Sequence, residues 1–302
     1  MQLAMIIVNP SSGKEEAPRY AGAAEASLKA AGYTVTVQET AGEGDATEYC
    51  KTACENGYHL VVSIGGDGTL HEVINGLEHQ PHRPQLGIVP LGTVNDFARA
   101  LRIPLDPEQA VAALTSSTAH KVDVGRLNSR LFINVVAAGP LAESLSGVTA
   151  EDKTRLGALA YLKEGVTALT GNARSAHPLS IAYDGQVWEG HAPLFVAALT
   201  NSVGGFEKLA PEAAVDDGLL HCYIFQDLTL FSTLTAGLSL LLGNLQNHKD
   251  VIYFKAKQVS LSSLDTVRTN VDGEEGPPLP VTLSTIPRYI EIIVPDDSSD
   301  VL

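Results

Sequence analysis

The apolar positions fall into short runs, each closed by turn-forming residues. Residues 5–8 are an unbroken apolar strand that ends on Asn9-Pro10-Ser11-Ser12-Gly13. An alanine-rich stretch, 21–31, has the composition of a helix and stops at Gly32. The same reading gives a strand at 34–37, a helix at 45–56 stopped by Gly57, a strand at 60–64, a helix at 69–77, a strand at 86–90 and a helix at 93–101. Repeated strand–helix units predict a parallel sheet covered by helices. The texture changes after about Lys121. Helical stretches are expected at 156–169 and 228–242, and the remaining segments read as strands: 179–183, 187–190, 194–199, 219–225, 251–254, 259–264 and 281–284. Asp184-Gly185 joins two of them as a hairpin turn. An antiparallel sheet or sandwich follows, and with it a two-domain chain whose ligand site lies between the domains.

Composition narrows the partners. Hydrophobic residues make up 44% of the 302 and charged residues 18%, enough apolar material for a buried core. The net charge of −15 excludes the basic surface that nucleic acid requires and opposes general adhesion to an anionic membrane. Membrane contact would need a local patch, for which Lys153, Arg155, Lys163 and Arg174 are the candidates. Cys50, Cys54 and Cys222 are too few and odd for a disulfide framework; the first two are one helical turn apart and read as structural thiols. Residues 1–8 lack the basic start of a signal peptide. Residues 228–243 are interrupted by Ser232, Thr233, Thr235 and Ser239 and fall short of the roughly 20 apolar residues of a membrane span. A cytoplasmic location is expected, with an acidic, solvated tail at 296–300.

Three loops carry candidate chemistry. Gly65-Gly66-Asp67-Gly68-Thr69 follows a strand and opens a helix. Successive glycines let the backbone approach a ligand, and a helix N-terminus adds partial positive charge, so the loop suits phosphate. Asp67 repels phosphate unless a cation such as Mg²⁺ bridges the two. The plainer reading is a helix start, with Thr69 and Glu72 as a capping box. Leu91-Gly92-Thr93 repeats the arrangement before Val94-Asn95-Asp96-Phe97, with Thr93 and Asp96 at capping-box spacing. The third loop, Asn9 to Lys14, lacks the glycine spacing of a P-loop.

In their order these motifs resemble the diacylglycerol kinase catalytic-domain family. So do Lys121-Val122-Asp123-Val124-Gly125, Thr200-Asn201-Ser202, Gly205-Phe206, Ala210-Pro211, Asp216-Asp217-Gly218 and Asn270-Val271-Asp272-Gly273-Glu274. The resemblance runs from about Ile6 to Pro295. It implies an N-terminal α/β nucleotide-binding domain like those of NAD kinases and 6-phosphofructokinases, residues 1–122 with 288–302 returning to it. It also implies a C-terminal antiparallel β-sandwich for the lipid substrate, residues 123–287. The implied activity is ATP-dependent phosphorylation of 1,2-diacylglycerol to phosphatidate, at the inner face of the membrane. By the same resemblance ATP is contacted by Asn9, Pro10, Ser11, Ser12, Gly13, Thr40, Gly66, Asp67, Gly68, Thr69, Leu70, His71, Glu72 and Thr93. His71 stands where the family commonly has asparagine.

Phosphoryl transfer also needs charge neutralisation and an acceptor relieved of its proton. Read locally, Asp272-Gly273 is a hairpin turn and Glu274-Glu275 a solvated acidic face. The resemblance instead makes Glu274 the general base, with Asp272 holding Mg²⁺ or orienting the alcohol. It implies a structural Mg²⁺ on the Asp217 carboxylate and the carbonyls of Ala214 and Leu219. Asp67, Asp96 and Asp123 would form a water-bridged network from that ion to ATP–Mg²⁺. The implied partners are diacylglycerol or a related lipid, a peripheral membrane surface, a second copy of the chain as a homodimer, and no nucleic acid. Competing readings are a lipid kinase for phosphatidylglycerol or a sphingoid alcohol, an NAD kinase, and a non-enzymatic sensor of nucleotide or lipid.

Overall fold

The computed structural model describes residues 2–139, 142, 176–203, 205, 208–226, 239 and 243–295. The helical stretch expected at 156–169, nearly all of that at 228–242, Phe206, the tail from Asp296, and Lys153, Arg155, Lys163 and Arg174 lie outside these residues. The chain divides into two compact units, Met1–Val124 with Pro287–Leu302, and Gly125–Ile286.

The first unit alternates strands and helices: β1 (Gln2–Val8), a single turn α1 (Ser12–Glu15), α2 (Ala17–Ala30), β2 (Tyr33–Glu39), α3 (Asp45–Glu55), β3 (Leu60–Gly65), α4 (Asp67–Gly76), β4 (Gln85–Pro90), α5 (Asp96–Ala100), α6 (Pro107–Ala113) and β5 (Ser117–Leu127). The strands β2, β1, β3 and β4 pair in that order, all parallel. Central β3 is buried at every position, as a parallel strand covered on both faces must be. Helix α2 turns Ala17, Tyr20, Ala21, Ala24 and Leu28 to the core at helical spacing. Cys50 and Cys54 are free, buried on one face of α3. They sit at a close helix contact, since a Cβ placed on Gly76 of α4 would lie 2.6 Å from that of Cys50.

The regular elements of the second unit are a short 3-10 turn at Leu245–Asn247 and the strands β6 (Arg130–Phe132), β7 (Val135–Ala138), β8 (His177–Tyr183), β9 (Gln186–Ala192), β10 (Leu194–Ala198), β11 (Leu220–Phe225), β12 (Val251–Ala256), β13 (Gln258–Ser263), β14 (Arg268–Val271), β15 (Glu274–Pro278) and β16 (Val281–Pro295), among its described residues. One sheet has the order β12-β11-β10-β7-β14-β15, antiparallel throughout. The other joins the start of β16 to β13, β8 and β9, also antiparallel. Val136, Phe195, Cys222 and Ile224 of the first sheet share a core with Leu179, Ile181, Val259, Leu261 and Leu283 of the second, so the unit is a β-sandwich. Strand β10 is buried on both sides because side chains alternate. Phe195 and Ala197 enter the inter-sheet core, while Leu194, Val196 and Ala198 enter a second cluster with Tyr223 and Phe225.

Strands β5 and β16 carry the chain from one unit to the other. Past Pro287, β16 pairs parallel to β4 through Ile292 and Leu86, adding a fifth strand to the first unit's sheet. Asp184 and Gly185, with φ of 46° and 77°, form the two-residue hairpin turn expected between β8 and β9.

Candidate active site

In the first unit the expected nucleotide loops gather at one edge. Asn9 follows β1, Thr40 follows β2, Gly66 follows β3, and Gly92 and Thr93 follow β4. These are the carboxyl ends of neighbouring parallel strands, where open α/β sheets bind ligands. Backbone bonds hold the ends level: Thr40 N–H to Val8 at 2.9 Å, Asn9 N–H to Ile64 at 3.0 Å and Leu91 N–H to Gly65 at 2.8 Å. The Asn9 amide reaches Thr69 Oγ1 at 3.4 Å, and its oxygen accepts from the Ser11 hydroxyl at 2.7 Å. Gly66 and Gly92 meet backbone to backbone, and a Cβ on Gly92 would lie 2.8 Å from Gly66 Cα and 2.6 Å from Asn95 Oδ1. Glycine is required here by the approach of two loops to each other, not only by approach to a ligand.

Helix α4 begins at Asp67, with Gly66 as its extended N-cap and no side-chain cap. The capping box expected from Thr69 and Glu72 therefore does not form. Thr69 lies inside the helix, and Glu72 accepts the N–H of Ala46 at 3.1 Å. Likewise α5 starts at Asp96 after Asn95, whose φ is 55°, so Thr93 is not its cap. Asn95 instead closes its own loop, accepting from Gly92 N–H at 2.9 Å and donating to the Gly92 carbonyl at 2.8 Å. Asp67 has a partner besides any cation: its Oδ2 accepts the Asn95 N–H at 2.8 Å, tying the two glycine loops together. Among the expected ATP contacts, Pro10, Ser12, Gly13, Thr40, Gly66 and Asp67 are partly exposed, and Ser11, Gly68 and Thr93 are open to solvent. Thr69, Leu70 and His71 are buried, and Glu72 is committed to the packing of α4 on α3. Asp96 and Asp123 are buried, and Asp123 accepts the Arg288 N–H at 2.8 Å, fixing the returning chain to β5.

The second unit holds the other carboxylates. Asp272 and Gly273, with φ of 51° and 93°, form the turn between β14 and β15. Both Asp272 oxygens are occupied, accepting N–H groups of Ile133 at 2.8 Å, Asn134 at 2.9 Å and Val135 at 2.8 Å. The carboxylate anchors the segment joining β6 to β7. Glu274, half-exposed, is paired with Arg130 of β6 at 2.5 Å. Asp217 accepts from Leu219 N–H at 2.9 Å, Ala214 N–H at 3.3 Å and the wholly buried His221 at 2.8 Å. Burial pushes the Asp217 carboxyl up. The hydrogen bond and charge of His221 and the two N–H donors outweigh it, leaving the pKa below the ordinary 3.8. Among the described residues no group of three or more His, Cys, Asp or Glu side chains is gathered for a metal ion, so a cation at Asp217 would rest on backbone oxygens and water.

Asn95, Arg130, His221, Tyr253 and Arg288 were missed by the sequence reading. Asn95 had a signal, being a residue tolerant of positive φ beside a glycine turn. Arg130 lies 144 residues from Glu274 and Arg288 lies 165 from Asp123, separations no local pattern reveals.

Comparison with known proteins sets this geometry in a family. Residues 3–127 match the diacylglycerol kinase catalytic domain, and residues 134–294 match the YegS C-terminal NAD kinase beta sandwich-like domain. A diacylglycerol kinase of Staphylococcus haemolyticus is 41% identical over 97% of this chain and 88% of its own length. One from Staphylococcus carnosus is 40% identical over 97% and 95%. The crystal structure of a diacylglycerol kinase from Bacillus anthracis superposes over 98% of both chains with a TM-score of 0.77 at 24% identity. A second crystal structure from that organism, of a protein provisionally named as such a kinase, reaches a TM-score of 0.85 at 26% identity over 98% of this chain and 96% of its own. A curated relative at 41% identity along 97% of the chain leaves one assignment: the chain belongs to the diacylglycerol kinase family and is a kinase.

Proposed function

We propose that the chain transfers the γ-phosphoryl group of ATP to the free hydroxyl of 1,2-diacylglycerol, yielding phosphatidate and ADP. The observation that carries the nucleotide half is the gathering of Asn9, Thr40, Gly66 and Thr93 at neighbouring strand ends, with two glycine loops locked together there. Such an edge offers backbone N–H groups and the N-terminus of α4 to phosphate oxygens. The acceptor is taken from what the curated relatives are called.

Asn9 to Gly13, Thr40, Gly66 to Thr69 and Thr93 are proposed to contact ATP through loop backbone and short side chains. Leu70, His71 and Glu72 support the loop from beneath, in keeping with their packing. Glu274 accepts the hydroxyl proton as the new O–P bond forms and the bond from Pγ to the bridging oxygen breaks, leaving that electron pair on ADP. A carboxylate is a weak base for an alcohol, so proton transfer comes late, when the oxygen is already bonding to phosphorus. Asp272 acts as a positioning residue, holding the turn that presents Glu274. Mg²⁺ neutralises phosphate charge when bound. Asp217, kept ionised and with backbone oxygens of Ala214 and Leu219 beside it in sequence, suits a hard cation that retains waters. Asp67, Asp96 and Asp123 are the further carboxylates proposed to reach such ions through water.

Among the described residues no helix is long and apolar enough to cross a membrane. We assign the chain peripheral contact with the bilayer that holds its substrate, in the cytoplasm. Co-sedimentation with anionic vesicles tests that contact, and light scattering tests the expected homodimer. For the reaction itself, γ-labelled ATP is offered with diacylglycerol, phosphatidylglycerol, a sphingoid base and NAD in separate mixed-micelle assays. Label in phosphatidate is expected. Label confined to another acceptor, or to none, overturns the proposal.

A further inference from the structure

Beside Asp217 lies a hydrogen-bonded chain, buried His221 and partly buried Tyr253, that the phosphoryl-transfer scheme does not use. His221, on β11, has a side chain with no exposed surface. Its Nε2 lies 2.8 Å from Asp217 Oδ2, and its Nδ1 lies 2.8 Å from the hydroxyl of Tyr253 on β12. The donors can be assigned. Asp217 already accepts two backbone N–H groups, so Nε2 carries the hydrogen and donates to it. Burial, followed by the charges of Glu212 and Asp217, pushes the Tyr253 hydroxyl up to about 12, so it keeps its proton and donates to Nδ1. Both ring nitrogens are satisfied.

The consequence falls on the carboxylate. Oδ2 accepts from both His221 and Ala214 N–H, filling its two lone pairs. Oδ1 accepts from Leu219 N–H alone among the described residues, so one lone pair is left on that oxygen. We propose that His221, held by Tyr253, is a positioning residue that turns the Asp217 carboxylate so that Oδ1 is presented to a hard divalent cation. The inference rests on the Mg²⁺ reading of Asp217 above. Partners that orient a metal-ligating group commonly cost about 10–100-fold in metal affinity when removed.

The test follows metal binding without catalysis. Melting temperature is recorded against Mg²⁺ concentration for the full-length chain after chelation, since a ligand that binds only the folded state raises the melting point by mass action. His221→Leu is expected to raise the half-effective Mg²⁺ concentration by about 10–100-fold. Tyr253→Phe, which deletes one oxygen and leaves packing intact, is expected to raise it by less. In His221→Gln the amide can donate to Asp217 and accept from Tyr253, so affinity should return towards the wild type while a purely volumetric role would not be rescued. If His221→Leu does not fold, Tyr253→Phe decides. An unchanged Mg²⁺ response there, or a Gln variant as weak as Leu, overturns the proposal and leaves the cation site standing. A wild type indifferent to Mg²⁺ removes the cation site and this inference with it.

Discussion

Replacing Asp272 by Asn separates anchoring from metal binding. Asn tolerates the positive φ of 51° at this turn, so the backbone is undisturbed and only the carboxylate changes. One amide oxygen can still accept the N–H groups of Asn134 and Val135, which share Oδ1 in the wild type. The amide nitrogen then faces the Ile133 N–H, donor against donor. One charge-assisted bond is lost, worth about 1.5–3 kcal/mol, and the two that remain weaken to neutral strength at a cost of about 1–1.5 kcal/mol each, so the total is about 3.5–6 kcal/mol. That is a large fraction of the roughly 5–15 kcal/mol that holds a domain folded. Amide hydrogen exchange reads it directly: protection should fall at Ile133, Asn134 and Val135 well before the rest of the sandwich, with the urea midpoint lowered. Excess Mg²⁺ should restore neither stability nor turnover. Unchanged exchange at these three amides, or activity recovered by Mg²⁺, would refute the anchoring role and return Asp272 to the metal.

Three further substitutions probe the loops and the base. Glu274→Gln should leave ATP titrations unchanged and slow single-turnover phosphorylation of diacylglycerol by about 10²–10⁴-fold; normal turnover ends the general-base assignment. Gly92→Ala places a Cβ 2.8 Å from Gly66 Cα, with backbone on both sides unable to yield. It should cost about 1–3 kcal/mol and weaken ATP binding by tenfold or more, which calorimetry would measure. Asp67→Asn keeps an oxygen for the Asn95 N–H and removes the charge, so the melting point should hold while transfer falls by about 10²–10³-fold. A folded Asp67→Asn chain with full activity would limit Asp67 to its bond with Asn95.

The α/β architecture was legible because β1, β3 and β4 are mostly apolar runs, β2 alternates valine with threonine, and α2 and α3 are each followed by a glycine. Helix starts were not. Thr69 and Thr93 have the composition of N-caps, yet the helices begin at Asp67 and Asp96 because Gly66 and Asn95 take the capping geometry without a side-chain bond. Composition ranks capping residues; backbone angles at the loop decide which one is used. The long-range partners were hidden for a simpler reason. Asp272 meets Ile133 across 139 positions and His221 meets Tyr253 across 32, and hydrophobic periodicity carries no information about which polar side chains face each other after folding.

The Asp-Gly step shows how the local and the chemical readings combine. As a hairpin turn it demands positive φ at both residues, and both have it. That geometry makes Glu274 the first residue of the return strand, paired with Val271. It also turns the Asp272 carboxylate back onto the N–H groups of 133–135, a segment three residues beyond Arg130 in the same strand–loop–strand stretch. Arg130 then closes on Glu274. An ordinary turn signal thus sets two acids to different tasks, one spent on rigidity and one left half-exposed on an arginine. Turn and catalytic motif are therefore not exclusive readings: the same hairpin turn that Asp272 anchors would hold Glu274 in place for the proposed proton transfer.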